Sequence, residues 1–170
     1  MLNNKSLSIG EVRDIINKLN WDNLECGIYS KLDFNNGKDK IILITSDINN
    51  LVGHYCLLFN DKDKNTIYFF DGSSNKPLEV FKKYHLDQNR QDANKLYDYL
   101  IKNNEIIDYN NFNFQKNKNS ETCGHHCIAR YYYKEMNNND YIKFLKTIKR
   151  KYNYKNYDDL IVDIVNLIIN

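Results

Sequence analysis

The sequence predicts an α+β fold in which a small, mostly antiparallel β-sheet packs against helices. Short apolar runs rich in β-branched and aromatic residues, typical of buried strands, fall in the first half of the chain. A polar turn over residues 61–64 separates two of these runs and predicts a hairpin. Longer segments with apolar residues at helical spacing come before and after them.

The first helix is predicted by a capping box, in which Ser8 and Glu11 bracket the first turn. Apolar residues then recur at helical spacing up to an end near Asn20. Predicted strands cover residues 40–45, 54–60 and 65–71, with a looser alternation over 106–115. Further predicted helices cover residues 78–84, 89–102, 123–136, 141–152 and 157–169.

Composition predicts a single globular domain over residues 1–170, with 42% apolar and 27% charged residues. A formal net charge of +2 argues against an obligate nucleic-acid binder. The N-terminus lacks the apolar segment of a secretory signal, and the apolar stretch 160–169 is too short to span a bilayer. We therefore expect an intracellular protein that is not secreted, with its four cysteines reduced.

The segment 115–127 carries the most chemical information. A polar loop leads to Cys123 and Gly124 at the start of an apolar helix. The unpaired N–H groups and the dipole at a helix N-terminus stabilise a thiolate and can stabilise an oxyanion. Cys123 is therefore a candidate nucleophile, and Gly124 would let a substrate approach closely. The alternative is that Cys123 is a small apolar residue beginning a core helix.

His54 is the candidate general base, because it opens an apolar strand directly after a glycine. His125 and His126 lie too close to Cys123 along a helix to turn back toward it. Asp71 ends the paired strand, where a carboxylate could orient the imidazole, and Gln115 could offer an amide N–H to an oxyanion. Each also has a structural interpretation: a strand histidine, a turn-starting aspartate and a polar strand end.

Hairpin geometry gives a sharper expectation. A turn centred between Lys62 and Asp63 places His54 directly opposite Asp71, and opposed residues point to the same face of the sheet. A slip of one residue would separate the two side chains, so the loop should contain two or four residues.

The residues Gly53-His54-Tyr55, Asp71, Gln115 and Thr122-Cys123-Gly124 occur in an order that resembles the adenovirus-type (adenain-like) cysteine proteases. These include the maturation proteases of virophages and Maverick/Polinton elements and are related to the Ulp1/SUMO proteases. The segment 26–30 also looks like the N-terminal region of the adenovirus enzyme. The resemblance implies a Cys123–His54–Asp71 triad at a central helix, Gln115 in the oxyanion hole, and no metal or cofactor.

The resemblance further implies a thiol endopeptidase that processes capsid or virion precursor proteins at glycine-containing sites. Such a protein would act in the virus factory of an infected cell and be packaged in the virion. An isopeptidase that removes SUMO- or ubiquitin-like modifiers is the alternative. Two features depart from the family pattern: Tyr55 stands where tryptophan is common, and residues 97–110 hold no cysteine for a disulfide-linked activating peptide.

Two rivals come from other classes. A zinc module could use the Cys/His cluster that contains the proposed nucleophile, although the second ligand pair typical of such modules is absent from the sequence. That cluster is Cys123, His125, His126 and Cys127. A basic helix face could contact DNA, or it could simply be exposed to solvent. Its residues are Lys143, Lys146, Lys149, Arg150 and Lys151. No membrane partner is expected.

Overall fold

The α+β class is confirmed by the computed structural model, in which a five-stranded mixed sheet packs against helices. The structure describes residues 5–47, 52–77, 79–80, 90–102, 106–116 and 120–170. The strands are β1 (Leu24–Ile28), β2 (Asp39–Asp47), β3 (Val52–Asp61), β4 (Thr66–Phe70) and β5 (Ile106–Tyr109). The helices are α1 (Ile9–Lys18), α2 (Arg90–Lys102), α3 (Cys123–Tyr132), α4 (Asn138–Lys151) and α5 (Tyr157–Ile169), and a short 3-10 helix covers Tyr29–Lys31.

The strand order is β1-β2-β3-β4-β5. The two inner pairings, β2 with β3 and β3 with β4, are antiparallel, whereas β1 with β2 and β4 with β5 are parallel. The prediction of a mostly antiparallel sheet is therefore wrong. Antiparallel neighbours can be joined by tight turns that leave a local pattern, whereas a parallel pair needs a long crossover that leaves none.

Helix α1 begins with the predicted capping box. The Glu11 backbone N–H donates to Ser8 Oγ at 3.2 Å, and the Ser8 N–H donates to the Glu11 carboxylate at 2.7 Å. The helix buries Ile9, Val12 and two isoleucines of the next turn against the sheet, and it ends at Lys18. The apolar spacing thus predicted both the helix and the face that it buries.

The β3–β4 hairpin has a four-residue loop, 62–65, which fits the predicted even number. Its register differs from the prediction by two residues, because Leu58 pairs with Phe69 instead of Ile67. Asn65 explains the shift: it adopts a left-handed φ of 50°, which asparagine tolerates, and so belongs to the turn rather than to the strand.

This shift means that His54 does not directly face Asp71, contrary to the prediction. A slip of two residues nevertheless keeps every side chain on its predicted face of the sheet. Asp71, the first residue after β4, is therefore placed diagonally from His54 on the same face, within reach of a side-chain hydrogen bond.

The remaining elements differ mainly at their ends. The predicted strand 106–115 is regular only over its first four residues, because Asn110 leaves the ladder and bonds to Asp71. Helix α3 ends at Tyr132, four residues before the predicted end, and α4 begins at Asn138, three residues early. Most of the predicted helix 78–84 lies outside the described residues, although Pro77, Glu79 and Val80 are helical.

The sheet buries apolar side chains on both faces. Tyr55, Leu57 and Phe59 of β3 join the cluster that contains α1, α3 and α5, whereas Cys56 and Leu58 join the cluster that contains α2. This alternation places α3, which is buried from Cys123 through Tyr131, across one face of β3. The start of α3 and the start of β3 thereby converge.

Arg130 fixes the far end of α3. Its guanidinium carbon lies 4.8 Å from the ring centre of Phe59 and 5.0 Å from that of Tyr141, and it donates to Asn138 Oδ1 and to the Tyr133 carbonyl. Burial lowers the pKa of Arg130 to about 10, so it remains charged at neutral pH. The cation joins α3 to the start of α4. Within the described ranges, no helix has the length and apolarity needed to cross a membrane.

Candidate active site

The nucleophile candidate, Cys123, is the first residue of α3 and only 6% exposed. Glycine at position 124 allows this helix end to sit close to its neighbours. A Cβ there would lie 3.3 Å from Leu7 Cβ and 3.4 Å from Tyr55 Cδ2. The Tyr55 ring therefore packs beneath the start of the helix, on the opposite face of β3 from His54. Tyr55, which stands where tryptophan is common in the family that the sequence resembles, therefore supports the helix that begins with Cys123.

His54 connects Cys123 to Asp71. Its Nε2 lies 2.7 Å from Asp71 Oδ1, and both residues are buried. The Cys123 thiol, like that of Cys56, is one of the groups whose interaction with this imidazole raises the pKa of His54. Because Asp71 occupies Nε2, Nδ1 is the ring nitrogen left for a thiol, that of Cys123 or that of Cys56. The structure thus brings His54 and Asp71 into contact, and Cys123 is among the groups that interact with this imidazole.

The charged forms of His54 and Asp71 stabilise each other. Burial alone would lower the pKa of His54, but the Cys56 thiol, the hydrogen bond to Asp71 and the Cys123 thiol raise it well above its ordinary value. We assign the main effect to Asp71, since a protonated Cys56 carries no charge. Burial would raise the pKa of Asp71, yet His54 and two further donors lower it instead. An imidazolium–carboxylate pair is therefore favoured at neutral pH.

Asp71 is held by four polar contacts that the sequence did not predict. Its Oδ1 accepts from the Ser73 N–H and its Oδ2 from Asn75 Nδ2, both at 2.7 Å. Asn110 brackets its backbone, accepting from the Asp71 N–H at 2.8 Å and donating to the Asp71 carbonyl at 2.7 Å. Ser73 and Asn75 follow the turn-forming Asp71-Gly72 pair, a local pattern that could have suggested them. Asn110 lies 39 residues away along the chain and had no such pattern.

Gln115 lies between the acid and the nucleophile. Its backbone N–H donates to the Gly72 carbonyl at 3.1 Å, directly after Asp71. Its side-chain Nε2 donates to Ser120 Oγ at 3.2 Å and to Thr122 Oγ1 at 3.4 Å, directly before Cys123. The amide is therefore beside the start of α3, where an oxyanion donor would be needed.

Gly72 is required by this arrangement. A Cβ at position 72 would lie 2.5 Å from Gln115 Oε1 and 3.1 Å from its Cδ, so any larger residue must displace the carboxamide. We expect Gly72→Ala to slow acyl transfer by about 10- to 100-fold while the protein stays folded, a loss below that of a deleted oxyanion donor. Rates and circular dichroism should be measured together.

Gly10→Ala is the matched control, because a Cβ at position 10 would meet only Ser8 Oγ, at 3.8 Å. It should leave the rate unchanged and favour the helix slightly. A Gly72→Ala protein with the wild-type rate would show that the position of the Gln115 carboxamide does not matter.

Cys56, which the sequence placed only in an apolar strand, lies beside His54 and Asp71. The ligand atoms of Cys56, His54 and Asp71 all lie within 4.8 Å of one another, and this is the one group of potential metal ligands found among the described residues. Burial and the Asp71 charge raise the pKa of Cys56 to about 12, so its thiol stays protonated at neutral pH. A metal ion would have to displace that proton and part the His54–Asp71 hydrogen bond.

His125 and His126 do not take part in the contacts around His54. His126 Nε2 lies 3.3 Å from Asp158 Oδ1, and both ring nitrogens of His125 are buried with no hydrogen-bond partner. Burial lowers the pKa of His125 to about 4 and also lowers that of His126, so both are neutral. In the part of the chain that the structure describes, they do not converge with Cys123 and Cys127 as metal ligands. His85 lies outside the described residues.

No protein-family model matches this chain, and a search of curated proteins finds no significant match.

Proposed function

We propose that the protein is a cysteine endopeptidase with a Cys123–His54–Asp71 triad. One observation supports this most strongly. A single buried imidazole lies 2.7 Å from a buried carboxylate and interacts with the Cys123 thiol at the N-terminus of α3. Nucleophilic catalysis at a carbonyl requires a nucleophile, a base beside it and a group that orients the base.

The reaction follows from these positions. His54 holds the proton of Cys123 as an imidazolium, and the Cys123 thiolate attacks the carbonyl carbon of the scissile bond. The Cys123 N–H and the Gln115 amide stabilise the oxyanion. His54 then protonates the leaving amine, and a thioester remains on Cys123. Water attacks the thioester while His54 accepts its proton, which releases the acid and restores the thiol.

The proposed substrates are capsid or virion precursor proteins, cut at glycine-containing sites inside infected cells. The order of the site residues, which resembles that of adenovirus-type proteases, supports this choice. The same chemistry at an isopeptide bond would instead remove a SUMO- or ubiquitin-like modifier. A contact with DNA through the basic face of α4 remains a further proposal; Lys143, Lys146, Arg150 and Lys151 of that face are exposed.

Incubation with the virion proteins encoded beside it tests the substrate class. New N-termini that follow glycine-containing sequences, present with the wild-type protein and absent with Cys123→Ala, are the expected result. Release of a ubiquitin-like modifier without any new N-terminus in virion proteins would favour the isopeptidase.

A metal centre is the second candidate, because His54, Cys56 and Asp71 could together offer a nitrogen, a sulfur and an oxygen ligand. It ranks lower because the Cys56 thiol is protonated and the imidazole is already bonded to the carboxylate. We expect activity to survive EDTA and to be lost on adding zinc or a mercurial. Stoichiometric zinc in the purified active protein would reverse this ranking.

A further inference from the structure

A second buried polar cluster lies behind Gln115 and is centred on Asp158, in the first turn of α5. Asp158 Oδ1 accepts hydrogen bonds from Ser120 Oγ at 2.7 Å and from Thr122 Oγ1, and it contacts His126 Nε2 at 3.3 Å. Although burial opposes it, these contacts lower the pKa of Asp158, so the carboxylate is ionised. An ionised carboxylate can only accept hydrogen bonds.

The direction of the hydroxyl protons follows from that charge. Ser120 and Thr122 each carry one hydroxyl proton, and both oxygens lie within hydrogen-bonding distance of the same carboxylate oxygen. Their protons therefore point to Asp158, or from one hydroxyl to the other 2.9 Å away, and in both cases lone pairs remain for Gln115. A hydroxyl pair arranged in this way accepts from an amide N–H and repels an amide oxygen.

This polarity selects one orientation of the Gln115 carboxamide. Nε2 faces the hydroxyls, while Oε1 is buried against Gly72 without a hydrogen-bond partner. An orphaned buried acceptor is costly, so the orientation must be held by something else. In the flipped orientation Oε1 would meet hydroxyl lone pairs, which Asp158 makes unfavourable.

The same contacts leave one amide hydrogen unused. The two hydroxyl oxygens are 2.9 Å apart and lie 3.2 and 3.4 Å from Nε2, so they subtend an angle of about 50° there. The two N–H bonds of an amide diverge by about 120°, so a single hydrogen serves both hydroxyls. The second hydrogen is left for another acceptor.

We propose that Asp158 is a positioning residue that, through Ser120 and Thr122, holds the Gln115 amide with one N–H directed to the oxyanion. This rests on the proposed function, because it presupposes acyl transfer at Cys123. Asp158 itself does not touch the reacting atoms. Its effect should therefore be confined to the step that forms an oxyanion.

Two reagents that need no knowledge of the natural substrate separate that step from thiol reactivity. Acylation by p-nitrophenyl acetate, read as a burst of p-nitrophenol, passes through an oxyanion. Alkylation by iodoacetamide does not. For Asp158→Leu, which keeps the approximate shape but removes the acceptor, we expect acylation to fall by about 10- to 100-fold and alkylation of Cys123 to change by less than about twofold.

Three further variants sharpen the test. Asp158→Asn keeps an acceptor oxygen and should recover most of the lost acylation rate. Asp159→Leu is the matched control, because the side chain of this neighbouring aspartate contacts Asn156. It should change neither the acylation rate nor the alkylation rate. Thr122→Val removes one of the two hydroxyls and should slow acylation even if Asp158→Leu does not fold.

A double variant decides whether Asp158 acts through Gln115. In a Gln115→Ala background, Asp158→Leu should cost less than about twofold more in acylation. If the acylation losses of Gln115→Ala and Asp158→Leu multiply in the double variant, or if acylation and alkylation fall together, Asp158 has a merely structural role. Either result would overturn this inference but not the proposed function. A burst that persists in Cys123→Ala would overturn the proposed function, and this inference with it.

Discussion

Cys123→Ala should abolish acyl transfer, reducing the rate by about four to six orders of magnitude, as loss of a covalent nucleophile does elsewhere. Without the sulfur no thioester forms, and the His54 imidazolium has no thiolate to pair with. The protein should stay folded, since alanine fits the first turn of α3 at this 6% exposed position. Acylation kinetics, peptide cleavage and circular dichroism provide the measurement.

Cys26→Ala is the matched control for this exchange. Cys26 is also buried and free, but it lies in β1, the strand at the edge of the sheet. Its loss should lower stability modestly and leave the rate of acyl transfer close to wild type. Near-normal activity in Cys123→Ala would remove Cys123 from the mechanism.

Asp71→Asn should lower the rate by about 10²- to 10⁴-fold, because an amide cannot hold the imidazole in the productive tautomer or stabilise the imidazolium. It should also change the pH profile. The Asp71 carboxylate helps to raise the pKa of His54, so its removal lets the imidazolium deprotonate at a lower pH. The alkaline limb of the activity profile should move to lower pH.

The same pair makes stability depend on pH in two directions. The raised pKa of His54 gives stability that is complete below the ordinary histidine pKa and is lost as pH rises through the folded-state value. The lowered pKa of Asp71 gives stability that is present above the ordinary aspartate pKa and is lost as pH falls through the folded-state value. Asp71→Asn should remove both dependences from unfolding curves.

Asp61→Asn is the control for Asp71→Asn. Asp61 lies on the same hairpin and pairs with exposed Lys64, where solvent screens the interaction. Its rate and its alkaline limb should match those of the wild type. If Asp71→Asn keeps the wild-type rate and alkaline limb, Asp71 plays no catalytic part and a Cys–His dyad remains.

The hairpin shows how much local sequence could determine. The alternation of β3 and β4 and the even loop length fix which face each side chain occupies. The His54–Asp71 contact was therefore predicted although the register was wrong by two residues. The left-handed Asn65 that sets the register is a detail of turn conformation, which alternation does not encode.

Contacts between residues far apart along the chain could not be predicted from local sequence patterns. β1 was not predicted, because Glu25 and Gly27 interrupt its apolar pattern and β2, its strand partner among the described residues, pairs with it in parallel. Asn110 and Asp158 were missed for a related reason. Each looks like an ordinary polar residue at the end of an element, and its role depends on a residue at least 32 positions away.

Cys56 was missed because a cysteine within an apolar strand has no feature that marks it as a neighbour of the triad. Only the diagonal placement of Asp71 across the hairpin brings that carboxylate and His54 to the same thiol. The position of Cys56 matters for any experiment that labels thiols, because it shares the imidazole with Cys123.

Mapping the cysteine that reacts first with limiting iodoacetamide tests the Cys123–His54 pair most directly. Burial raises the pKa of Cys26 and of Cys56 to about 12 and raises that of Cys127 strongly, so these three thiols should stay unmodified in the native protein. Peptide mass spectrometry should find the label on Cys123, and His54→Ala should slow its attachment. Labelling of Cys56 or Cys127 as fast as that of Cys123, or a Cys123 rate indifferent to His54→Ala, would contradict the assignment.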